Sequence, residues 1–191
     1  FYYDYKDKQL SVYFADPIYT ALARLQNIPK SKAYGIDGDV TVRAGQDLTL
    51  IASATFLHTE VNGYTGINAA GQPQSFDGAE FLNSPKFQGG LTALYSHAMG
   101  NGLGIQAALN GRYQTRSHSD LGGDPLFVIP SYGLVNASVG IHSIKDRWEV
   151  SIWGRNLADK YYWTAISSNA NVVVRFPGQP RTYGATLTVK Y

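Results

Sequence analysis

The chain has 191 residues, of which 44% are hydrophobic and 16% charged, and its net charge is +2. This charge is too small and too scattered to favour a nucleic-acid partner, and the absence of cysteine excludes a disulfide framework and a thiolate metal cluster. No run of eighteen apolar residues predicts a membrane-spanning helix, and Phe1 marks neither an initiator nor a signal peptide, so we expect a mature protein or a piece of a longer one.

Alternation of apolar and polar residues predicts strands along the whole chain. The eight predicted strands cover residues 1–14, 32–43, 48–57, 85–96, 103–114, 132–142, 148–156 and 181–191. In the first strand the apolar phase slips between Tyr5 and Leu10, and we expect a bulge near Asp7. Almost no helical periodicity is present, so the pattern predicts an all-β fold.

The segments between the predicted strands alternate in length. Residues 44–47, 97–102 and 143–147 are short, whereas residues 16–29, 58–84, 115–130 and 157–180 are long. Short periplasmic turns that alternate with long outer loops are typical of up-and-down barrels of the bacterial outer membrane. The lengths therefore predict a transmembrane antiparallel barrel in the outer membrane, with the C-terminus on the periplasmic side.

The two faces of the predicted strands differ in chemistry. From Tyr34 onwards one face is apolar and carries no charge. On the opposite face, the residues predicted to line the lumen or to contact a plug are Asp37, Asp39, Arg43, Arg112 and Arg155. Asp37 and Asp39 are two residues apart, so their carboxylates could instead share a cation, although a cation site needs more than two ligands.

Aromatic residues on the apolar face fall near the strand ends. The predicted girdle at the lipid interface comprises Tyr34, Phe56, Phe87, Tyr95, Tyr113 and Trp148. In the last strand, Tyr183 and Tyr191 are separated by roughly 26 Å at about 3.3 Å per residue, or about 20 Å after the tilt typical of such barrels. This distance is close to the apolar band of an outer-membrane barrel, so we expect the apolar face to point to lipid and not into a soluble core.

Three stretches also resemble a known family. GRNLADKYYW at 154–163 and GQPRTYGATLTVKY at 178–191 look like the C-terminus of TonB-dependent outer-membrane receptors. NIPKSKAYGIDGDVTVRAGQDLTLIASATF at 27–56 is similar to a strand pair further back in the same barrels. The resemblance runs in order along essentially the whole chain. It implies that residues 1–191 are the C-terminal part of one barrel domain, about eight strands of a barrel of about 22.

The family has an N-terminal plug and earlier strands that have no counterpart in this sequence. The chain is therefore expected to be a cleavage product, one chain of a split barrel, or part of a larger protein. The resemblance implies a receptor that binds and imports a scarce nutrient such as a ferric siderophore, a vitamin or an oligosaccharide. Expected partners are the plug and remaining strands, the TonB energy complex through the plug, the outer-membrane assembly machinery, lipid and lipopolysaccharide, and the nutrient.

By the same resemblance, the assembly machinery reads a terminal aromatic residue and the alternating residues before it. The matching positions are Tyr183, Leu187, Val189 and Tyr191. No enzymatic activity, metal or other cofactor is expected.

Residues in the long segments are candidates for contact with a substrate at the outer mouth, because recognition sites favour aromatic and arginine side chains. These candidates are Arg116, His118, Tyr161, Tyr162, Trp163 and Arg175. Packing within the loops explains the same residues equally well.

Two other functions stay open on the sequence alone. A complete eight-stranded barrel resembling OmpA or OmpX, with a structural or adhesive role, fits the number of strands. An outer-membrane enzyme would need a base beside a nucleophile, but His58, His97, His118 and His142 fall in different loops or turns. SHSD at 117–120 places Ser, His and Asp adjacent in sequence, which is not how catalytic triads are assembled, so a solvated loop is favoured.

Overall fold

The computed structural model describes residues 1–100, 102–143, 145, 147–169 and 172–190. Its strands are β1 (Tyr2–Asp16), β2 (Thr20–Ala44), β3 (Leu48–Asn62), β4 (Thr65–Ile67), β5 (Pro73–Ser75), β6 (Phe87–Met99), β7 (Leu103–Gln114), β8 (Ser117–His118), β9 (Val128–Ile129), β10 (Tyr132–Ser143), β11 (Trp148–Arg155), β12 (Trp163–Asn169), β13 (Val172–Pro177) and β14 (Thr182–Val189). One 3-10 turn, Pro125–Phe127, precedes β9. Among the described residues, no helix is long and apolar enough to cross a membrane.

One antiparallel sheet of ten strands forms the body of the molecule, in the order β14-β11-β10-β7-β6-β3-β2-β1-β4-β5. Its eight long strands pair with their neighbours in chain order, which is an up-and-down topology. All eight strands predicted from the alternation pattern are confirmed. The pairs β8–β9 and β12–β13 form two small sheets of their own within the connections.

The large sheet is open, because its edge strands β14 and β5 do not pair with each other in the described part of the chain. The chain therefore forms a portion of a barrel wall, and the alternative of a complete eight-stranded barrel is wrong. An open edge leaves backbone N–H and C=O groups without partners, which is prohibitive in lipid. Further strands beside β14 and β1 would satisfy these groups.

The connections differ at the two ends of the sheet. The turn end carries the short connections after Ala44, Met99 and Ser143. The loop end carries the long connections 63–86, 115–131 and 156–181, which hold the short strands.

One predicted long connection, residues 16–29, is wrong. β1 and β2 stay paired up to Asp16 and Thr20, so residues 17–19 form the whole turn. Asp16 stabilises this turn, since its Oδ1 accepts hydrogen bonds from the N–H groups of Ile18 at 2.9 Å and Tyr19 at 2.8 Å. The result is a long hairpin that rises beyond the other strands at the loop end.

The irregularity predicted near Asp7 is present, but it is not a bulge. Asp7 has a φ of 55° and lies opposite Pro29, which has no N–H to donate. The register is the same on both sides of this point, so no residue is inserted. Across it the positions that pack on the core change from Tyr5 to Leu10.

Most of the buried hydrophobic core lies at the loop end. One cluster joins the β1–β2 hairpin to connection 63–86 and contains Leu10, Val12, Ile28, Ala33, Val61, Tyr64, Phe76, Phe81 and Leu121. A second cluster joins Phe127 and Ile129 to Ile166 of β12. In the middle of the sheet, by contrast, apolar residues such as Ile36 and Leu187 are exposed by 75% and 68%. The connections therefore pack on one another, while the sheet presents an apolar face that no described residue covers.

Candidate binding site at the loop end

The six predicted girdle residues lie on the apolar face in two rows, Tyr34, Phe56, Phe87 and Tyr113 near the loop end and Tyr95 and Trp148 near the turn end. The ring of Phe87 lies 4.8 Å from that of Phe56 and 6.3 Å from that of Tyr113. The loop-end row is thus continuous across β3, β6 and β7, and it marks the edge of the apolar face that lies nearer to the long connections.

The residues matched to the assembly signal divide between described and undescribed positions. Tyr183, Leu187 and Val189 lie on the apolar face of β14 and are exposed by 67%, 68% and 51%. Tyr191 lies outside the described residues.

The predicted lumen residues lie on the opposite, polar face, and all of them are exposed: Asp37, Asp39, Arg43, Arg112 and Arg155. The structure does not bring them together into one cluster. Arg43 is near the turn end, Arg112 is near the loop end, and the guanidinium of Arg155 lies 5.1 Å from the ring of Trp153. Among the described residues, no group of three or more side chains could hold a metal ion, so Asp37 and Asp39 lack the further ligands that a cation needs.

A ladder of amide side chains crosses the polar face just below the connections. Asn110 donates to the hydroxyl of Thr92 at 2.8 Å, and Asn136 donates to Oδ1 of Asn110 at 3.3 Å. Oδ1 of Asn136 in turn accepts the backbone N–H of Asn156 at 3.0 Å. The ladder links β6, β7 and β10 to the end of β11, and it holds the backbone at the start of connection 156–181.

Asn156 organises that connection. Its side chain accepts the N–H of Lys160 at 2.9 Å and donates to the carbonyls of Lys160 and Gln179 at 2.9 and 3.0 Å. It is 3% exposed and has a φ of 49°, a left-handed conformation that asparagine tolerates better than most residues. The residue therefore fits this position for both its amide and its backbone.

A second link joins the same two segments of the chain. Oδ1 of Asp159 accepts the backbone N–H of Arg181 at 3.2 Å, and Oδ2 lies 3.3 Å from the Arg181 guanidinium. Together, Asn156, Asp159 and Arg181 form what we call the loop clamp, because they hold the end of β11 against the start of β14. Sequence reasoning missed their role, although the two C-terminal motifs singled out in the sequence contain all three residues.

A cavity of about 270 Å³ opens beside the amide ladder at the loop end. Its polar side chains come from four strands of the sheet, and they are Ser53, Thr55, Gln88, Arg112, Gln114 and Tyr132. The ring of Tyr132 lies 4.5 Å from that of Tyr162 in connection 156–181. The structure thus places the predicted lumen residue Arg112 and the predicted mouth residue Tyr162 in one region, with Tyr132 between them. A guanidinium, amides and a phenol can bind an anionic ligand rich in oxygen.

Three other predicted mouth residues form a separate group. The rings of Tyr161 and Trp163 meet edge to face at 4.9 Å, and the Arg175 guanidinium lies 6.0 Å from the Trp163 ring. Arg175 also donates to the carbonyl of Leu126 at 3.1 Å, so it ties β13 to connection 115–131. Tyr161 is 70% exposed, which leaves one aromatic side chain of this group open to solvent.

Arg116 and His118 are not part of either group. Arg116 is exposed, and His118 lines a different pocket of about 310 Å³ that it shares with Asp120. Asp120 is 4% exposed, and burial raises the pKa of its carboxyl above the usual 3.8, although hydrogen bonds from the backbone of Asp124 and Gly122 offset part of this shift. Burial, with a smaller effect from the charge of Asp120, also raises the pKa of the Tyr13 phenol.

The histidines considered for catalysis are dispersed. His97 lies at the turn end, with its Nδ1 2.8 Å from Asp47, while His58 lies 3.8 Å from Glu60 beside β2. His142 is near the turn end of β10, far in the sheet from His118. The arrangement does not assemble a nucleophile and a base from different strands in the way that a triad requires.

Comparisons with known proteins bear on the whole sheet. A family model described as "TonB dependent receptor-like, beta-barrel" matches residues 1–157. Among solved structures, the chain is similar to the ferric yersiniabactin uptake receptor FyuA from Yersinia pestis, with a TM-score of 0.78 and 17% identity over 100% of this chain and 26% of that one. It is also similar to the siderophore receptor PiuA from Acinetobacter baumannii, with a TM-score of 0.68 and 18% identity over 97% of this chain and 24% of that one.

The ferric preacinetobactin receptor BauA from the same organism gives a TM-score of 0.65 and 18% identity over 94% of this chain and 25% of that one. The chain thus spans about a quarter of the length of the solved proteins that it matches.

Proposed function

Because the chain belongs to the TonB dependent receptor-like β-barrel family, we propose that it is the C-terminal wall of an outer-membrane receptor that binds a scarce nutrient and imports it. The observation that carries this proposal is the open, up-and-down sheet with an apolar face, a polar face and long packed connections at one end only. This arrangement suits a barrel wall whose apolar face meets lipid and whose connections form a mouth. The role is transport, and it requires no catalytic residue.

The proposed orientation in the outer membrane follows from the difference between the long connections at one end of the sheet and the short turns at the other. The loop end faces the outside of the cell, and the C-terminus lies on the periplasmic side, because long outer loops and short periplasmic turns are the usual pattern. The plug and the remaining strands complete the barrel, and the TonB energy complex acts through the plug. Tyr183, Leu187, Val189 and Tyr191 serve as the signal that the assembly machinery reads.

We propose a ferric siderophore as the nutrient, over a vitamin or an oligosaccharide. The solved proteins with similar folds are described as uptake receptors for ferric yersiniabactin and ferric preacinetobactin, or as a siderophore receptor. The cavity at the loop end supports this class, since Arg112 supplies a positive charge and Gln88, Gln114 and Tyr132 supply hydrogen-bonding groups. Many iron chelates are anionic and rich in oxygen, so they match these groups.

The test uses the complete receptor that contains this chain, purified in detergent, and a panel of ferric siderophores of differing charge. The Arg112→Gln variant removes the positive charge from the cavity, and Arg43→Gln removes an equally exposed arginine from the same face near the turn end. Loss of a charge-assisted hydrogen bond weakens binding by about tenfold or more. We therefore expect Arg112→Gln to raise the Kd of one anionic siderophore by at least that factor, and Arg43→Gln to leave it unchanged.

If Arg112→Gln and Arg43→Gln bind the siderophore with equal affinity, the cavity is not part of the binding site. Failure of the wild-type receptor to bind any ferric siderophore would contradict the proposed nutrient class, and vitamins and oligosaccharides would then be tested with the same protein.

A further inference from the structure

A buried carboxyl group in connection 115–131 has one oxygen atom without a partner. Asp120 is 4% exposed, and its Oδ2 accepts the backbone N–H of Gly122 at 3.1 Å. Its Oδ1 is buried and has no hydrogen-bond partner among the described residues. A buried carboxylate oxygen that lacks a donor is costly, because it has lost its hydration and gained nothing in return. The position of Oδ1 therefore suits a donor that the described chain does not supply.

A second unpartnered atom lies in the same cavity wall. Asp120 lines the cavity of about 310 Å³ between connections 63–86 and 115–131, and so does His118. Nδ1 of His118 is buried and has no hydrogen-bond partner among the described residues. Asp120 also borders a smaller cavity of about 100 Å³, whereas His118 lines the larger one. Two unpartnered polar atoms on side chains that share the larger cavity indicate a ligand there.

A third acceptor in the wall comes from connection 63–86. Nε2 of Gln74 donates to the carbonyl of Gly122 at 3.1 Å, which leaves Oε1 as the acceptor of this amide. A methyl group on Gly122 would lie 2.8 Å from Oδ2 of Asp120 and 3.8 Å from Oε1 of Gln74. Glycine thus leaves room between these two side chains that any larger residue would fill. The wall of the cavity therefore carries a carboxyl group, an imidazole nitrogen and an amide oxygen as acceptors.

The charges around the cavity favour a cation. Asp77 and Glu80 lie in its wall together with Asp120. Nζ of Lys86 lies 2.7 Å from Oε1 of Glu80 and neutralises that carboxylate. Among the described residues, neither Asp77 nor Asp120 takes part in an ion pair. The two remaining carboxylates attract a positive charge and repel a negative one.

The acceptors also distinguish one kind of cation from another. No group of three or more metal-ligating side chains is present among the described residues, so the wall does not suit a metal ion. A guanidinium pairs best with a carboxylate that has both oxygens free, but Oδ2 of Asp120 is already bonded to Gly122. A primary ammonium carries three N–H donors on one atom. It matches the three acceptors Oδ1 of Asp120, Nδ1 of His118 and Oε1 of Gln74.

We propose that this cavity binds the primary ammonium group of a small organic amine. The ammonium donates to Asp120, His118 and Gln74, with His118 protonated at Nε2 so that its Nδ1 accepts. The carbon chain of the amine lies against Phe76 and Leu121, which line the cavity and are buried. None of the residues in this wall lines the cavity beside the amide ladder, so the site is independent of the nutrient that the receptor imports.

The test measures binding of n-butylammonium to the complete receptor in a non-ionic detergent at pH 7, by ligand-observed NMR titration. n-Butanol has the same carbon chain without the charge, and butyltrimethylammonium has the charge without N–H donors. Asp120→Asn removes the buried carboxylate, and Gly122→Ala narrows the cavity without changing its charge. Asp4→Asn is the matched control, because Asp4 is an exposed aspartate of β1.

We expect Asp120→Asn to raise the Kd of n-butylammonium by about tenfold or more, because it removes a charge-assisted hydrogen bond. Gly122→Ala should also raise this Kd, and Asp4→Asn should bind as the wild type does. n-Butanol and butyltrimethylammonium should bind the wild type about tenfold or more weakly than n-butylammonium. The proposal is overturned if the wild type does not bind n-butylammonium, if Asp120→Asn binds it normally, or if butyltrimethylammonium binds as tightly.

Hydrogen exchange of residues 117–129 shows whether Asp120→Asn is folded. Protection at or above the wild-type level excludes loss of binding through unfolding. Siderophore binding is measured on the same variant, and a normal Kd for the siderophore beside a raised Kd for n-butylammonium separates this site from the proposed transport function.

Discussion

Replacing Asn156 in the loop clamp should release connection 156–181 from the sheet. Asn156→Ala removes the three side-chain hydrogen bonds to the backbone of Lys160 and Gln179 and leaves those groups unpaired near a buried site. Each bond is worth about 1 kcal/mol net. Alanine at a φ of 49° adds about 1 kcal/mol of backbone strain. The expected cost is therefore about 4 kcal/mol in the local opening of this connection.

Asn156→Gly separates the two contributions. Glycine tolerates the left-handed backbone but makes none of the hydrogen bonds, so its expected cost is about 3 kcal/mol. Asn156→Asp keeps the acceptor for the Lys160 N–H and loses both donors, so it should cost about 2 kcal/mol or slightly more.

The assay is hydrogen exchange of the Lys160 and Arg181 amides in the complete receptor, since both N–H groups are bonded within the clamp. A cost of about 4 kcal/mol lowers protection by up to about a thousandfold. Protection at Leu109 in the middle of β7 should not change, and it serves as the internal control. Wild-type protection in Asn156→Ala would refute the clamp. Equal loss in the Ala and Gly variants would refute the backbone part of the reasoning.

Two further predictions concern the apolar face and the pH dependence of the connections. Val139→Arg should lower the free energy of unfolding in lipid by about 2–4 kcal/mol, because it places a charge near the middle of the lipid-facing band, whereas Ser138→Arg on the polar face should be tolerated; equal effects in a bilayer folding assay would contradict the proposed facing. Because the pKa of Asp120 is raised in the folded protein, ionisation of its carboxyl group opposes folding. The protonated carboxyl group stabilises the fold fully below pH 3.8, and this stabilisation is lost as the pH rises through the raised pKa. Asp120→Asn should therefore increase hydrogen-exchange protection of residues 117–129 at pH 7, with the difference shrinking towards pH 3.8, and lower protection at pH 7 would count against it.

The strands of the sheet could be predicted because each has one apolar and one polar face. In β10, for example, Val135, Val139 and Ile141 alternate with Asn136 and Ser138, and this pattern fixes both the strand and its facing. The alternation of apolar and polar residues is clear in strands whose surroundings require apolar residues on the face towards lipid and polar residues on the face towards the lumen. The same local rule predicted the two rows of aromatic residues.

The parts that could not be predicted depend on contacts between distant segments. Residues 20–31 form a strand in which Ala21 and Ile28 are buried while Leu25 is 71% exposed, and the sequence of this segment shows no clean alternation of apolar and polar residues. Likewise, no local pattern predicts that the side chain of Asn156 reaches the carbonyl of Gln179, 23 residues away.

The residues predicted to contact a substrate at the outer mouth fall into separate groups in the structure. The ring of Tyr162 packs against that of Tyr132 at the edge of the cavity, while Trp163, its neighbour in sequence, packs towards Phe127 and Arg175. Adjacent residues in a strand-like segment point to opposite sides. A list of aromatic and arginine residues in a loop therefore could not show which of them share a site.

The most direct test of the transport account is import of radiolabelled iron, supplied as ferric siderophores, by cells in which the complete receptor is the only outer-membrane route for the chelate. The account predicts uptake that requires both the receptor and an active inner-membrane energy complex, and that falls about tenfold or more with Arg112→Gln but not with Arg43→Gln at subsaturating chelate. Uptake that is the same with and without the receptor, for every siderophore supplied, would contradict it.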